Sequence, residues 1–434
     1  MIKRIFFSLA PLAPLALAAG CATVPAQNDI SGPSGSEASS QALPHDITAG
    51  QSRLAARLYP KLAEAAEPND NLFISPLSLN EGLGLALPGA RGQTEAEIRD
   101  LLGWDAVNRS ELLMKDYDRF LTRTGDDKVA LSVANALWLS DKLDFTPDYL
   151  RAARSGFGAT ARQVDFGGDP AGSADTINGW VSEQTRERIT KIVDPSGFND
   201  LTAAVLTNAV WFKADWSVPF EDGSTGEFTR GDGTKMPIYM MERIAPMAYR
   251  ETREGQAVQL PYGKDGRFTM EVFLPRDMAT LRRWERDLNA GSFDLSMQGS
   301  DGKFDLGASQ EREILLRLPR FEARFDGSVK AALIAAGMPC AFDGSCADFG
   351  AMANAPLAID DVAHATFLRV DENGTEAAAV TAVKIVVTGS RTLPDDLPRM
   401  IVDRPFLLTI RDRASGALIF FGRIADPAPV EQAQ

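Results

Sequence analysis

The chain reads as an α+β protein built as one large domain. Helical periodicity occupies its first part, strand-like apolar runs dominate from about residue 206, and no linker or internal repeat divides Thr48 from Pro427. A length of 434 residues would suggest two or three domains at ~150 residues each. The expected strands lie far apart in sequence, however, which favours a single unit. Leu54, Leu58, Leu62 and Ala66 recur at helical spacing. Pro60 is expected to kink or restart that helix, because it lacks an amide proton and crowds the preceding turn. Asn80–Leu87 and Gln93–Leu102 also read as helices, and Thr176–Ile192 as a fourth with Ile177, Trp180, Val181 and Ile189 as its stripe. Leu206–Phe212 is nearly unbroken in apolar residues, as a strand buried on both faces would be. Further strands are expected at Gln256–Leu260, Phe268–Leu274, Ile314–Leu318, Ala363–Val370, Ile401–Ile410 and Leu418–Ile424.

Composition narrows the function. Hydrophobic residues make up 44% and charged residues 24%, an ordinary globular mixture. Lys and Arg total 45 against 59 Asp and Glu, a formal charge of −14. Without a dense basic run, nucleic acid is not an expected partner. Two histidines and three cysteines, with no H-E-x-x-H and no C-x-x-C, leave no expected metal site.

The front end reads as an address. Lys3 and Arg4 precede an apolar run from Ile5 to Ala19 that contains Pro11 and Pro14 and falls short of the ~20 residues needed to span a bilayer. Residues 1–20 are therefore expected to be a cleaved signal peptide. Leu17-Ala-Ala-Gly-Cys21 resembles the lipobox of bacterial lipoproteins, with Ala18 where leucine is usual, which implies acylation of Cys21 and an anchor in the cell envelope. Plain secretion with cleavage near Cys21 is the alternative. Ala22 after the cysteine points toward the outer membrane. Residues 21–48 are rich in Ser, Gly, Ala and Pro and read as a flexible tether, residues 49–427 as the domain, and 428–434 as a tail. Loss of Lys3 and Arg4 takes the charge from −14 to −16. An exported compartment permits a disulfide between Cys340 and Cys346, which the Asp343-Gly344 turn could bring together.

A search for catalysis finds little. There is no G-x-S-x-G, no Walker loop and no dinucleotide fingerprint. The S-x-x-K at Ser300–Lys303 lies in a Gly/Asp-rich surface turn. His364 sits in a strand-like run with no local nucleophile and reads as a structural hydrogen-bonding residue. The carboxylates form no acid/base pair. No catalytic residue and no cofactor is expected.

The informative segment is Glu372–Pro405. Alternate residues from Thr375 are Thr375, Ala377, Ala379, Thr381, Val383, Ile385 and Val387, all small or apolar, as one buried face of a strand requires. The other set is Glu376, Ala378, Val380, Ala382, Lys384, Val386 and Thr388, and it carries both charges. No proline occurs from Asn373 to Leu393, so the backbone could donate throughout a central ladder. Gly389–Pro398 then reads as an exposed loop. The pattern alone also fits an ordinary β-hairpin.

Gly374-Thr-Glu-Ala-Ala-Ala-Val-Thr381 is similar to the hinge of inhibitory serpins. Asn71-Leu-Phe-Ile-Ser-Pro-Leu-Ser78 resembles the start of that family's second helix. Leu206–Trp216 with Pro219-Phe220 resembles its breach strand and turn, and Asp403-Arg-Pro-Phe406 and Phe420-Phe-Gly-Arg423 its closing strands. The likeness runs in order across about 380 residues. It implies helices packed around a large mixed or antiparallel sheet plus smaller sheets, an exposed reactive-centre loop, and a monomer without enzymatic activity. A target serine or cysteine protease would attack the loop and be trapped as the loop inserts into the sheet. In the family's usual register Thr388 precedes the scissile bond and Gly389 follows it. A Val-Val-Thr approach suits elastase-like or subtilisin-like enzymes, whereas cleavage between Arg391 and Thr392 would suit a trypsin-like one and leave ~10 Å of slack. A bond next to these is a further alternative. The resemblance also assigns Ser75, Ser78, Asn208 and His364 to a polar shutter beneath the opening sheet, and Trp216 to the point where the hinge enters. A non-inhibitory serpin, acting as chaperone or carrier on a surface lipoprotein, is the rival, although such hinges often hold bulky, charged or proline residues.

Overall fold

A computed structural model describes residues 45–104, 121, 126–157, 159–288, 310–375 and 394–430. Its described helices are α1 (His45–Ala65), α2 (Pro76–Ala86), α3 (Gly92–Leu102), α4 (Pro147–Phe157), α5 (Pro170–Gln184), α6 (Met278–Asp287) and α7 (Lys330–Ala335). Helix α1 runs through Pro60 and does not restart there. The residues beside the proline explain this: Leu54, Ala55, Leu58 and Tyr59 are all fully buried, and their packing outweighs one lost backbone bond. Helix α2 begins four residues earlier than the periodicity indicates, because Ser75 accepts the Ser78 amide as N-cap and Pro76 sits at the first turn. The expected helix Thr176–Ile192 is displaced in the same direction. Asp169 caps α5 by accepting from Gly172, and the helix ends at Gln184 because Arg186 and Glu187 adopt left-handed φ values of 51° and 64°. Ile189 still packs on the same apolar cluster, but from a turn tied to Thr185.

The strands form two mixed sheets. The first, of nine strands, comprises β1 (Leu72–Ile74), β5 (Glu221–Thr229), β6 (Lys235–Glu251), β7 (Gly255–Tyr262), β8 (Phe268–Pro275), β9 (Gln310–Pro319), β13 (Arg399–Ile401), β14 (Phe406–Asp412) and β15 (Leu418–Ile424). Ile401–Ile410, expected as one strand, is two. Asp403-Arg404-Pro405 breaks it, so that β13 pairs parallel with β9 while β14 lies between β8 and β15. The second sheet comprises β2 (Val129–Ser140), β3 (Thr160–Val164), β4 (Ala204–Asp215), β10 (Phe321–Ser328), β11 (Asp361–Val370), β12 (Gly374–Thr375) and β16 (Ala428–Pro429). Ala428 and Pro429, read from sequence as tail, pair with Glu322 and Phe321 at the sheet edge.

The central strands of the second sheet are buried on both faces. Leu206, Val210, Phe212 and Ala214 of β4 point into the main core, which fills the space between the sheets and helices α1–α3. Val205 and Ala209 point the other way, into a smaller cluster with Trp138, Ala363, Ala365 and Phe367 that α5 covers with Ile177, Trp180 and Val181. This two-sided burial is why Leu206–Phe212 reads as a continuous apolar run.

Cys340 and Cys346 are joined, with Cα atoms 5.1 Å apart, clipping the loop that leads from α7 toward β11. The bridge restrains a short loop in the unfolded chain, so Cys346→Ser should cost about 2 kcal/mol. Urea unfolding of the variant should match the wild type under reductant, and no difference between oxidised and reduced wild type would remove the clip from the account.

Candidate functional site

The seam between β4 and β11 lies in the middle of the second sheet. The two strands pair in parallel from Val205/Asp361 to Val210/Thr366, and then part. Into the gap at that end fits β12, with Thr375 opposite both Val370 of β11 and Ala214 of β4, and Gly374 opposite Asp215. Gly374 must be glycine here, since a Cβ would lie 2.0 Å from the Ala214 carbonyl oxygen. Thr375 is fully buried, and its Oγ1 shares a 2.6 Å hydrogen bond with the Tyr262 hydroxyl. The first two residues of the expected hinge are therefore already strands of the sheet.

The turn ahead of them is held on all sides. Asp371 accepts the Asn373 and Gly374 amides at 2.9 and 3.3 Å, and burial pushes its carboxyl up from the ordinary range. Trp216 donates its indole N–H to the Asp371 carbonyl at 2.9 Å and its amide to the Asn373 carbonyl at 2.8 Å. Phe220 donates its amide to the Glu372 carbonyl at 2.8 Å. The Trp216 ring stacks on Tyr262 with centroids 4.3 Å apart, so one aromatic pair supports both the turn and Thr375. The Glu372 carboxylate pairs with Arg320, whose guanidinium lies 4.3 Å from the Tyr239 ring centroid.

Farther down the seam lies a buried polar cluster. Ser75, Ser78, Asn208 and His364 are all fully buried, and His364 faces Asn208 across the seam. They do not bond in a closed ring. Ser75 donates its amide to His364 Nε2 at 3.0 Å, while Ser78 and Asn208 both donate to the side-chain oxygen of Asn135, at 3.4 and 2.5 Å. Asn135 in turn donates to Glu81 at 3.0 Å. Gly82 makes this possible, because a Cβ there would sit 1.9 Å from Asn208 Nδ2. Burial pushes the His364 imidazole down to about 3, so the ring is neutral, accepts at Nε2, and carries its proton on Nδ1.

Sequence reasoning missed the residues that connect these groups: Glu81, Asn135, Tyr262 and Arg320. Glu81 had a signal, a lone charge in an otherwise apolar helical run, but Tyr262 had none outside three dimensions. The remaining residues of the expected hinge, Glu376, Ala377, Ala378, Ala379, Val380 and Thr381, the expected scissile bonds Thr388–Gly389 and Arg391–Thr392, and Cys21 lie outside the described residues. Among the described residues, no group of three or more His, Cys, Asp or Glu could hold a metal ion.

Comparison with known proteins fits this geometry to a family. The family model for "Serpin (serine protease inhibitor)" matches residues 49–427. The chain belongs to the serpin family. It is 35% identical over 378 residues to an uncharacterized serpin-like protein of Thermococcus kodakarensis, covering 84% of this chain and 82% of that one. It is 30% identical over 393 residues to mouse (Mus musculus) antithrombin-III, covering 88% and 82%. Among solved structures, an Arabidopsis serpin in its native stressed conformation superposes with a TM-score of 0.75 at 23% identity, over 88% of this chain and 98% of that one. That likeness establishes the serpin fold, an α+β architecture, while family membership rests on the sequence match. Serpins are mostly protease inhibitors rather than enzymes.

Two expectations follow from the site. The unfolded chain protonates His364 near pH 6.5 and the folded serpin only near 3, so between those values the unfolded state binds more protons and stability falls as pH drops. The contribution should approach about 1.4 kcal/mol per pH unit, seen as the difference between wild type and His364→Gln in urea unfolding from pH 7 to 4. A parallel pair of curves would show that the imidazole takes up its proton inside the fold. Tyr262→Phe should leave the Thr375 hydroxyl buried without its partner and cost about 1–3 kcal/mol of hinge seating. Amide exchange at Thr375 should then quicken while β2 and β4 stay protected.

Proposed function

We propose that this serpin inhibits a serine-type endopeptidase as a suicide substrate. What carries the proposal is the parted seam: β4 and β11 separate at one end, and Gly374–Thr375 already occupies the gap. The segment that follows alternates small or apolar residues with the rest, without a proline, in the pattern a new central strand needs. A protease attacking the Thr388–Gly389 bond would form an acyl-enzyme on Thr388 and release the new amino terminus at Gly389. Freed at that end, the segment would continue from Thr375 down the seam, exchanging one parallel ladder for two antiparallel ones.

The energies favour that exchange. Thr375–Thr388 is 14 residues, and if about half of their backbone groups gave a net ~1 kcal/mol each, hydrogen bonding would contribute on the order of 10 kcal/mol. Burial of Val383, Ile385 and Val387 would add roughly 1.5–3 kcal/mol apiece. Ala377, Ala378 and Ala379 offer no bulk to stall insertion, which must outrun deacylation. The preferred targets are elastase-like or subtilisin-like proteases, with a trypsin-like enzyme acting at Arg391–Thr392 as the variant case. Acylation at Cys21 would tether the inhibitor to the envelope of its cell through residues 22–44, shorter than the expected 22–48 because α1 already begins at His45, and on the outer membrane by the Ala22 rule.

Incubation with a panel of such proteases should give an SDS-stable complex, and sequencing of the small C-terminal fragment, freed by denaturation, should begin at Gly389. Loop cleavage should raise the melting temperature sharply; an unchanged melt would favour a chaperone or carrier. Thr375→Arg or Ala379→Arg should turn the inhibitor into a substrate that is cleaved without trapping. Full inhibition by both variants, with no rise in cleaved product, would sink the hinge assignment.

A further inference from the structure

Four arginines are buried among the described residues, and three of them meet a carboxylate: Arg320 with Glu372, Arg411 with Glu271 and Arg423 with Glu285. Arg243 of β6 is only 4% exposed and meets none. A buried cation without a countercharge is strongly unfavourable, so its position calls for a local cause. Its Nη1 donates to the Val218 carbonyl at 2.5 Å, its Nη2 to Met247 Sδ at 3.1 Å, and its guanidinium carbon lies 4.8 Å from the Phe220 ring centroid. Two of these contacts, to Val218 and Phe220, lie on the turn from Trp216 to Phe220, and the third is to a neighbour on β6 itself. That turn has little packing of its own at the tip, where Val218 is 52% exposed. Yet its two ends donate the Trp216 and Phe220 amides to the Asn373 and Glu372 carbonyls immediately before the hinge.

We infer that Arg243 is a positioning residue for loop insertion: it holds the Trp216–Phe220 turn from beneath, and through those two amides sets where the hinge enters the seam. A carboxylate partner would draw the guanidinium off the Val218 carbonyl and the Phe220 face, which accounts for the absence of one. The consequence for inhibition rests on the inhibitory role proposed above, whereas the structural link does not.

The experiment therefore has two arms, on the full-length protein with its loop intact. In the first, hydrogen–deuterium exchange is followed without any protease. Arg243→Met should speed exchange of the Trp216 and Phe220 amides by about tenfold and leave the β2–β4 ladder unchanged, because only the turn is released. Arg243→Lys keeps one donor for the Val218 carbonyl and should give an intermediate rate; it also serves if the Met variant does not fold. In the second arm, the moles of serpin consumed per mole of protease trapped should rise about fivefold for Met and less for Lys, as misplaced hinges lose the race with deacylation. Unchanged amide exchange in the folded variants would overturn the positioning role. Faster exchange with unchanged stoichiometry would overturn its link to insertion. If the wild type traps no protease, the inhibitory role fails by itself and the exchange arm still decides what Arg243 does.

Discussion

The parallel pairing of β4 with β11 is the constraint on which the rest of the structure depends. Their pairing ends at Val210 and Thr366, leaving an opening that two residues of β12 fill. On one face the strands share a core with α1–α3, and on the other they share the Trp138, Ala365 and Phe367 cluster beneath α5. Apolar side chains of both strands therefore line each face of the seam and fix its register, while directional side-chain bonds gather at two places along it: the breach turn and the polar cluster below it.

Those two places differ in chemistry. At the breach, aromatic stacking and backbone carbonyls dominate, with Trp216 and Tyr262 forming a hard platform under Thr375. Lower down, short polar side chains take over, and Asn135 acts as the hub for groups from α2 and β4. Keeping His364 neutral lets it accept from the Ser75 amide, which fastens the start of α2 to β11 without placing a charge at the seam.

Much of the fold was legible in the chain. The two-sided burial of β4 left an apolar run that reads as a buried strand. What escaped notice was set by tertiary context. Packing of Leu58 and Tyr59 carried α1 through Pro60, and the left-handed turn at Arg186–Glu187 closed α5 although its apolar period continued to Ile189. Of the site, Ser75, Ser78, Asn208, His364 and Trp216 were found by resemblance to a family. Their connectors Asn135 and Tyr262 look like ordinary strand residues until the strands are folded beside α2 and β12.

Finally, the strands that follow the proposed reactive segment run through both sheets. β14 lies inside the nine-stranded sheet between β8 and β15, β13 borders β9, and β16 closes an edge of the other sheet. Severing the backbone ahead of them divides the polypeptide into two chains but not the particle into two bodies. The shorter piece stays lodged as a structural rib, so a cut molecule keeps its size in solution, and only a denaturant reveals that it has become a heterodimer of its own fragments.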